Sequence, residues 1–323
     1  MEDSALTYDV LKPSQWERMT RSPRKVELFE EDLYFRECWA DTTDVLGDSS
    51  LELLERTALL SFKADGVVGR RVSDTLSFLQ ENGFRVSGVA PIRQNRHSIR
   101  ELWRYNWHVY TTDRLALMTV MHTANESMLL LLRDTEYDGV VPASVRIADL
   151  KGSANPAARL PGQLRTRLEP PNPVINFVHV ADEPADVVRE LGILLDRPRR
   201  RRLLASLASG PWNDGREAAE REAARLERTV EAHDFDLEES LSRIAAHPGV
   251  APEGADVLSR SARGGGRLTW EELVGILPPP EPGEPGFWDF VLIGSEVLLP
   301  ERTGFPDLLP ASSAEEWSKG PAR

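Results

Sequence analysis

The chain has 323 residues, with 39 basic against 52 acidic side chains for a net charge of −13, and it is 41% hydrophobic and 28% charged. These values fit a folded globular protein of about two domains. They exclude a miniature disulfide scaffold, since Cys38 is the only cysteine, and disfavour nucleic acid or an anionic membrane as the main partner, because the summed charge repels phosphate. A lone cysteine fits a reducing compartment. No run approaches the roughly 18 apolar residues of a membrane span, and the opening residues, MEDSALTYDVLKPSQWERM, hold neither a basic nor an apolar leader region. The expectation is a cytoplasmic protein without a membrane anchor.

Residues 1–54 mix charge with Trp16, Leu28, Phe29, Tyr34, Phe35 and Trp39. That is too aromatic for a plain disordered tail and too short for a separate core, so the segment reads as an extension that packs on the residues after it. ALLSFK (58–63) predicts a strand, ADG a turn, and Val68, Val72, Leu76 and Leu79 a helix stopped by Gly83. FRVSGVAPI (84–92) predicts a second strand, residues 98–121 helices with loops, and SMLLLLRD (127–134) a third strand. GSANPAARLPG is a turn-rich loop; NPVINFVHVAD (172–182) is a strand carrying His179, and a helix extends from near Glu183 to Leu195. Alternating strands and helices give an α/β or α+β fold over residues 55–196.

A boundary is expected near residue 196, where the composition changes to DRPRRRRLLASLASG and then to the Ala/Glu/Arg segment REAAEREAARLERTVEAH. Residues 197–323 read as a mainly helical accessory region. FDLEESLSRIAAH is amphipathic, and TWEELVGIL opens on a capping box, Thr269 with Glu272. PPPEPGEPG (278–286) reads as a stiff linker, FWDFVLIGSEVLL (287–299) as a strand docking elsewhere, and the last dozen residues as frayed.

Three distant segments read together as chemistry. The ADG turn places Lys63 at a strand end, the 152–165 loop ends on Arg165, and NFVHVAD presents His179 with Glu190 eleven residues later. Phosphoryl transfer through histidine needs fixed cations for the charge on the phosphate oxygens, and a neutral imidazole oriented by a carboxylate. The combination points to a phosphotransferase.

On these blocks the chain resembles the nucleoside diphosphate kinases, over about residues 55–195. ERTALLSFKADG resembles the family's opening strand and lysine turn, ANPAARLPGQLR its asparagine-proline loop and phosphate-binding arginine, and NFVHVAD its histidine segment. The resemblance implies a ferredoxin-like α/β sandwich with a four-stranded antiparallel sheet, an N-terminal extension and a helical C-terminal region. It implies that Lys63 and Arg165 hold phosphate, Asn176 contacts the nucleotide, His179 is the phosphorylated nucleophile and Glu190 orients its ring. Asp182 and Asn155 would support the site. The family's second phosphate-binding arginine falls nearest Arg146, with Arg133 the other candidate, and its tyrosine position nearest Tyr105 or Trp103. The base-stacking region corresponds to DRLALM (113–118). Mg²⁺ would arrive with the phosphates of ATP or another nucleoside triphosphate. The acceptor would be a nucleoside diphosphate or a specialised small molecule, and the protein a homo-oligomer.

Departures from the family pattern fall at Ala64, Ala154, Val180 and Ala181. Two hydroxyls are missing beside the phosphate, and a valine after the histidine is strained if that position needs φ > 0. These departures favour an alternative: a catalytically weak nucleotide-binding regulatory or scaffolding protein.

Other motifs carry bland readings. His97, His108, His122, His233 and His247 have no metal-ligand spacing, so no protein-held metal is expected. Arg199–Arg202 reads as a solvated or intramolecular cluster, paired with neighbours such as the Glu-rich helix after Arg216. SARGGGRLTWEE lacks the early acidic positions of a calcium loop, and its GGG reads as a connector.

Overall fold

The computed structural model describes residues 11–208, 215–306 and 308–320. Its centre is a four-stranded sheet of β1 (Thr57–Phe62), β2 (Phe84–Ile92), β3 (Ser127–Asp134) and β4 (Val178–Val180). The order is β2-β3-β1-β4 and all neighbours are antiparallel. With the helices Ala64–Val68 and Val72–Glu81 between β1 and β2, and Ala143–Lys151 between β3 and β4, this is the expected ferredoxin-like sandwich.

Alternation along the strands explains why LLLL in β3 is continuous. Leu130 and Leu132, with Leu60 and Phe62 of β1, join one apolar cluster; Leu129 and Leu131, with Leu59, join another. Successive side chains point to opposite faces, and both faces are covered, so neither parity is polar. One face is closed by the N-terminal helices Leu33–Leu46 and Ser50–Glu55 and the helices Pro184–Leu194 and Arg197–Ala208. The other is shared with helices Val72–Glu81, Arg216–Glu227 and Phe287–Val297.

The segment 287–299 thus corrects its sequence reading: it forms a helix, not a strand. Phe287, Phe290, Val291, Leu292 and Ile293 are all at most 1% exposed. A helix buried all round carries no period that separates it from a buried strand. The chain end is corrected as well: Ser313 caps a helix, Ala314–Ser318, whose Trp317 is buried. Residues 321–323 lie outside the described residues. The Arg-rich run is paired within the chain, but with different partners than expected. Asp41 accepts from Arg197 (2.9 Å) and Arg200 (2.8 Å), and Arg201 reaches Asp44 (2.5 Å). The capping box at Thr269 and Glu272 is present in both directions.

The helix Pro184–Leu194 is pinned by buried ion pairs to the N-terminal extension. Lys25 Nζ donates to Glu183 (2.7 Å) and Asp186 (2.6 Å), and Arg189 donates to Asp32 (2.6 Å). Glu183 also accepts from the Thr20 hydroxyl (2.6 Å), the Arg21 N–H (2.9 Å) and the Trp317 indole (3.2 Å). Charges this deep are tolerated because each is paired and hydrogen-bonded.

Approaching β4, the chain turns at Phe177, which takes φ +68°. Its N–H donates to Asp65 Oδ2 (2.9 Å) and its carbonyl accepts from the Lys63 N–H (2.9 Å). Val180 lies in β4 and is not among the residues with positive φ. The strain sits two residues before His179 rather than after it. Gly66 makes the turn fit, since a Cβ there would meet the Phe177 carbonyl oxygen at 2.4 Å.

Gly66→Ala weighs that clash against helix propensity. Alanine is worth up to about 1 kcal/mol over glycine in a helix, while overpacking against fixed backbone costs about 1–3 kcal/mol. The clash should win, lowering the urea midpoint at unchanged m; an unchanged or raised midpoint would contradict the packing described.

Candidate functional site

β4 is short, and its alternation sorts the side chains. Val178 and Val180 are fully buried on one face, while His179, opposite Ser61 of β1, points to the other face, over which the helix Pro184–Leu194 packs. Glu190 lies on the second turn of that helix. The His179 Nε2 is 2.9 and 3.0 Å from the two Glu190 carboxylate oxygens. A carboxylate accepts, so Nε2 carries a proton, and in the neutral ring Nδ1 carries the lone pair. No residue among those described hydrogen-bonds Nδ1. The Trp103 ring stands edge-on to the imidazole at 5.7 Å.

His179 opens into a cavity of about 160 Å³. Lys63, at the end of β1, lines it, with Nζ donating to the Val174 carbonyl (2.7 Å) and lying 3.6 Å from Asp65 Oδ2. Arg165, on the short helix Leu164–Leu168, donates to the carbonyls of Gly152 (2.9 Å) and Val178 (3.1 Å). Its Nε is buried with no partner among the described residues. Asn176 lines the same cavity, its amide donating to the Pro173 carbonyl (2.8 Å). The 172–176 loop is held by Asn172, whose carbonyl oxygen accepts from Val174 and Ile175 N–H and whose amide donates to Ser295 (2.7 Å).

Five of the expected residues, Lys63, Arg165, Asn176, His179 and Glu190, are therefore brought together. Arg146 is not. Its guanidinium pairs with Asp134 (2.6 Å) and Glu136, and donates to the Asn82 carbonyl (2.7 Å). Two carboxylates at the far end of β3 draw it away from the cavity. Arg133 is turned aside too, donating to the Leu207 carbonyl.

The cavity instead holds Arg114, from the first turn of helix Thr112–Thr123, and His122 from the same helix. The family resemblance draws attention to the DRLALM segment, but nothing in it singles out the arginine. Trp103 occupies the aromatic position beside His179, while Tyr105 stacks on Phe29 and under Arg189. Ala154 also lines the cavity, so the hydroxyl missing from the sequence is missing at the site.

The electrostatics are one-sided. Lys63, Arg114 and Arg165 converge, and among the described residues no Asp or Glu lines the cavity. Burial lowers Lys63 to about 8, opposed by Asp65 and reinforced by Arg165 and Arg114. Burial likewise lowers Arg165 to about 10. His122 is fully buried, donates or accepts at Gln94 (2.9 Å), and is held well below 6.5 by burial and then by Lys63, His179 and Arg114. It is neutral at pH 7. A positively charged pocket in a chain of net charge −13 attracts an anion with several oxygens.

The lowered Lys63 fixes the sign of two pH effects. Keeping it charged without an anion destabilises the fold below about pH 8, and that cost is relieved as pH rises from about 8 to its ordinary 10.5. Anion binding runs the other way, because it needs the ammonium. Tripolyphosphate affinity, measured by calorimetry, should fall as pH rises through 8. Lys151 is also lowered to about 8 by burial, so the comparison with Lys63→Gln isolates Lys63: the variant should bind more weakly at pH 7 and with a flatter pH profile. Equal profiles would remove Lys63 from the anion site.

No family model and no curated protein matches the chain. Among solved structures it is similar to the nucleoside diphosphate kinase of Encephalitozoon cuniculi, at 15% identity over 43% of this chain and 87% of that one, TM-score 0.36. It is similar to that of Halobacterium salinarum, solved in complex with CDP, at 17% identity over 43% and 91%, TM-score 0.36. It is also similar to that of Aquifex aeolicus, at 17% identity over 43% and 93%, TM-score 0.35.

Proposed function

We propose that the protein is a phosphotransferase that moves the terminal phosphoryl group of a nucleoside triphosphate through His179. The acceptor is a nucleoside diphosphate or a specialised small molecule. The observation that carries this reading is the imidazole whose Nε2 is held by Glu190, leaving Nδ1 open to a cavity lined by buried cations and, among the described residues, no carboxylate. The sequence blocks around Lys63, Arg165 and His179 support the same reading.

In the first half-reaction the Nδ1 lone pair attacks the terminal phosphorus, the N–P bond forms, and the bond to the bridging oxygen breaks as the nucleoside diphosphate leaves. The Nε2 proton stays between the ring and Glu190, whose charge offsets the cation that forms on the ring. Lys63 and Arg165 meet the charge on the phosphate oxygens, and Asn176 orients the nucleotide. In the second half-reaction an acceptor oxygen attacks the phosphohistidine and Nδ1 recovers its lone pair. The cavity lining offers Mg²⁺ no carboxylate, so in this reading the ion belongs to the substrate's phosphates, and its loading adds nothing to the residue roles above.

The volume of about 160 Å³ is small beside the roughly 300–1,000 Å³ of small-molecule sites. It admits a phosphate more readily than a whole nucleotide, which favours the second reading, a binding or regulatory site that transfers slowly.

Incubation with γ-labelled ATP and Mg²⁺ separates the two. The first reading expects acid-labile label on the parent, discharged by nucleoside diphosphates, none on His179→Ala, and labelling slowed about 100-fold on Glu190→Gln through loss of ring orientation. Binding of ATP without label on the parent would sink the phosphohistidine and leave the binding module.

A further inference from the structure

The cavity's third cation is engaged from outside the sheet region. After helix Phe287–Val297 the chain lies along residues 108–111: the Thr111 hydroxyl donates to the Leu299 carbonyl (2.5 Å) and the Arg302 N–H to the Val109 carbonyl (2.7 Å). Tyr110 and Glu301 form an antiparallel bridge, and the His108 ring meets the Pro306 carbonyl (2.7 Å). This places the Glu301 carboxylate 2.5 Å from the Arg114 guanidinium.

The pair is lopsided. The Arg114 side chain is 10% exposed and that of Glu301 is 56% exposed. The guanidinium stacks on the Tyr110 ring at 3.8 Å, and its Nε is buried without a partner among the described residues. An ion pair with one partner in water contributes little, whereas a polyphosphate brings more charge and more acceptor oxygens to a planar donor.

We propose that Glu301 is a stand-in anion for the Arg114 guanidinium of the His179 cavity, displaced when a polyphosphate enters. The proposal rests on the anion-binding reading of that cavity and deepens it. It makes the segment after residue 298 a competitor for substrate: Tyr110, which bridges to that segment, is part of the cavity wall, so release of the segment frees Arg114 and loosens the wall together.

The test is titration of the full chain with tripolyphosphate and with ATP, by calorimetry at fixed low salt. Arg114→Gln should weaken both by about tenfold or more, and Arg114→Lys by less. Glu301→Gln should tighten both by about two- to fivefold, as expected for loss of a half-exposed competing carboxylate. In the double variant that gain should vanish, which a general field effect of removing one negative charge would not produce. Unchanged binding in both Arg114 variants, with the parent binding normally, overturns the inference and spares the anion site. Glu301→Gln that binds as the parent does, or more weakly, overturns the competitor role. No binding by the parent or any variant that retains the parent's unfolding midpoint overturns the underlying reading of the cavity.

Discussion

Three buried or nearly buried cations share one small cavity whose wall has no carboxylate among the described residues, and that imbalance organises the site. Lys63 and Arg165 are held by main-chain carbonyl oxygens of Val174, Gly152 and Val178, which orient positive charge but neutralise none of it. Burial is the main reason that Lys63 and Arg165 are lowered, with Arg165 and Arg114 adding to the effect at Lys63 and Arg159 at Arg165. Such a cost persists only where the surrounding fold enforces it. Here the enforcement comes from β1, the turn at Phe177 and the helix Leu164–Leu168, each fixed by packing that the cations do not themselves provide.

The same logic divides the two halves of the chemistry. The positive charge gathers at one end of the sheet, while the orientation of the imidazole comes from the helix beside β4. His179 and Glu190 can meet only because Val178 and Val180 take the opposite face. Moving β4 by one residue would exchange those faces and turn the ring into the apolar layer. Strand register is thus a condition of the site as much as of the fold.

The strands and most helices are legible in sequence because short apolar runs and 3.6-residue spacing are local signals. So is the set Lys63, Arg165, Asn176, His179 and Glu190, whose residue types and order carry their own chemistry. Arg146 misleads because an arginine of suitable spacing says nothing of Asp134 and Glu136 waiting beside it. Arg114 escapes notice for the converse reason: its place at the cavity depends on a helix that three-dimensional packing brings there, and its ion pair on Glu301, 187 residues away. The helix Phe287–Val297 is hidden by its own burial, since the run Phe290–Ile293 is apolar on every side and carries no helical period. Pairing of the Arg-rich run with Asp41 also depends on long-range docking that no local pattern encodes.

Glu183 gathers groups from both ends of the chain, Thr20, Arg21 and Lys25 on one side and Trp317 on the other, at the head of the helix that bears Glu190. A fragment trimmed to the sheet and its crossover helices would strip this carboxylate of those partners, and would bare the face on which Leu59, Leu129 and Leu131 lie. Dissection into a minimal piece that keeps the His179 cavity is thereby closed off. The flanking regions act as the frame in which the sheet is held, and a change at Thr20, Lys25 or Trp317 reaches the helix that bears Glu190 through this carboxylate.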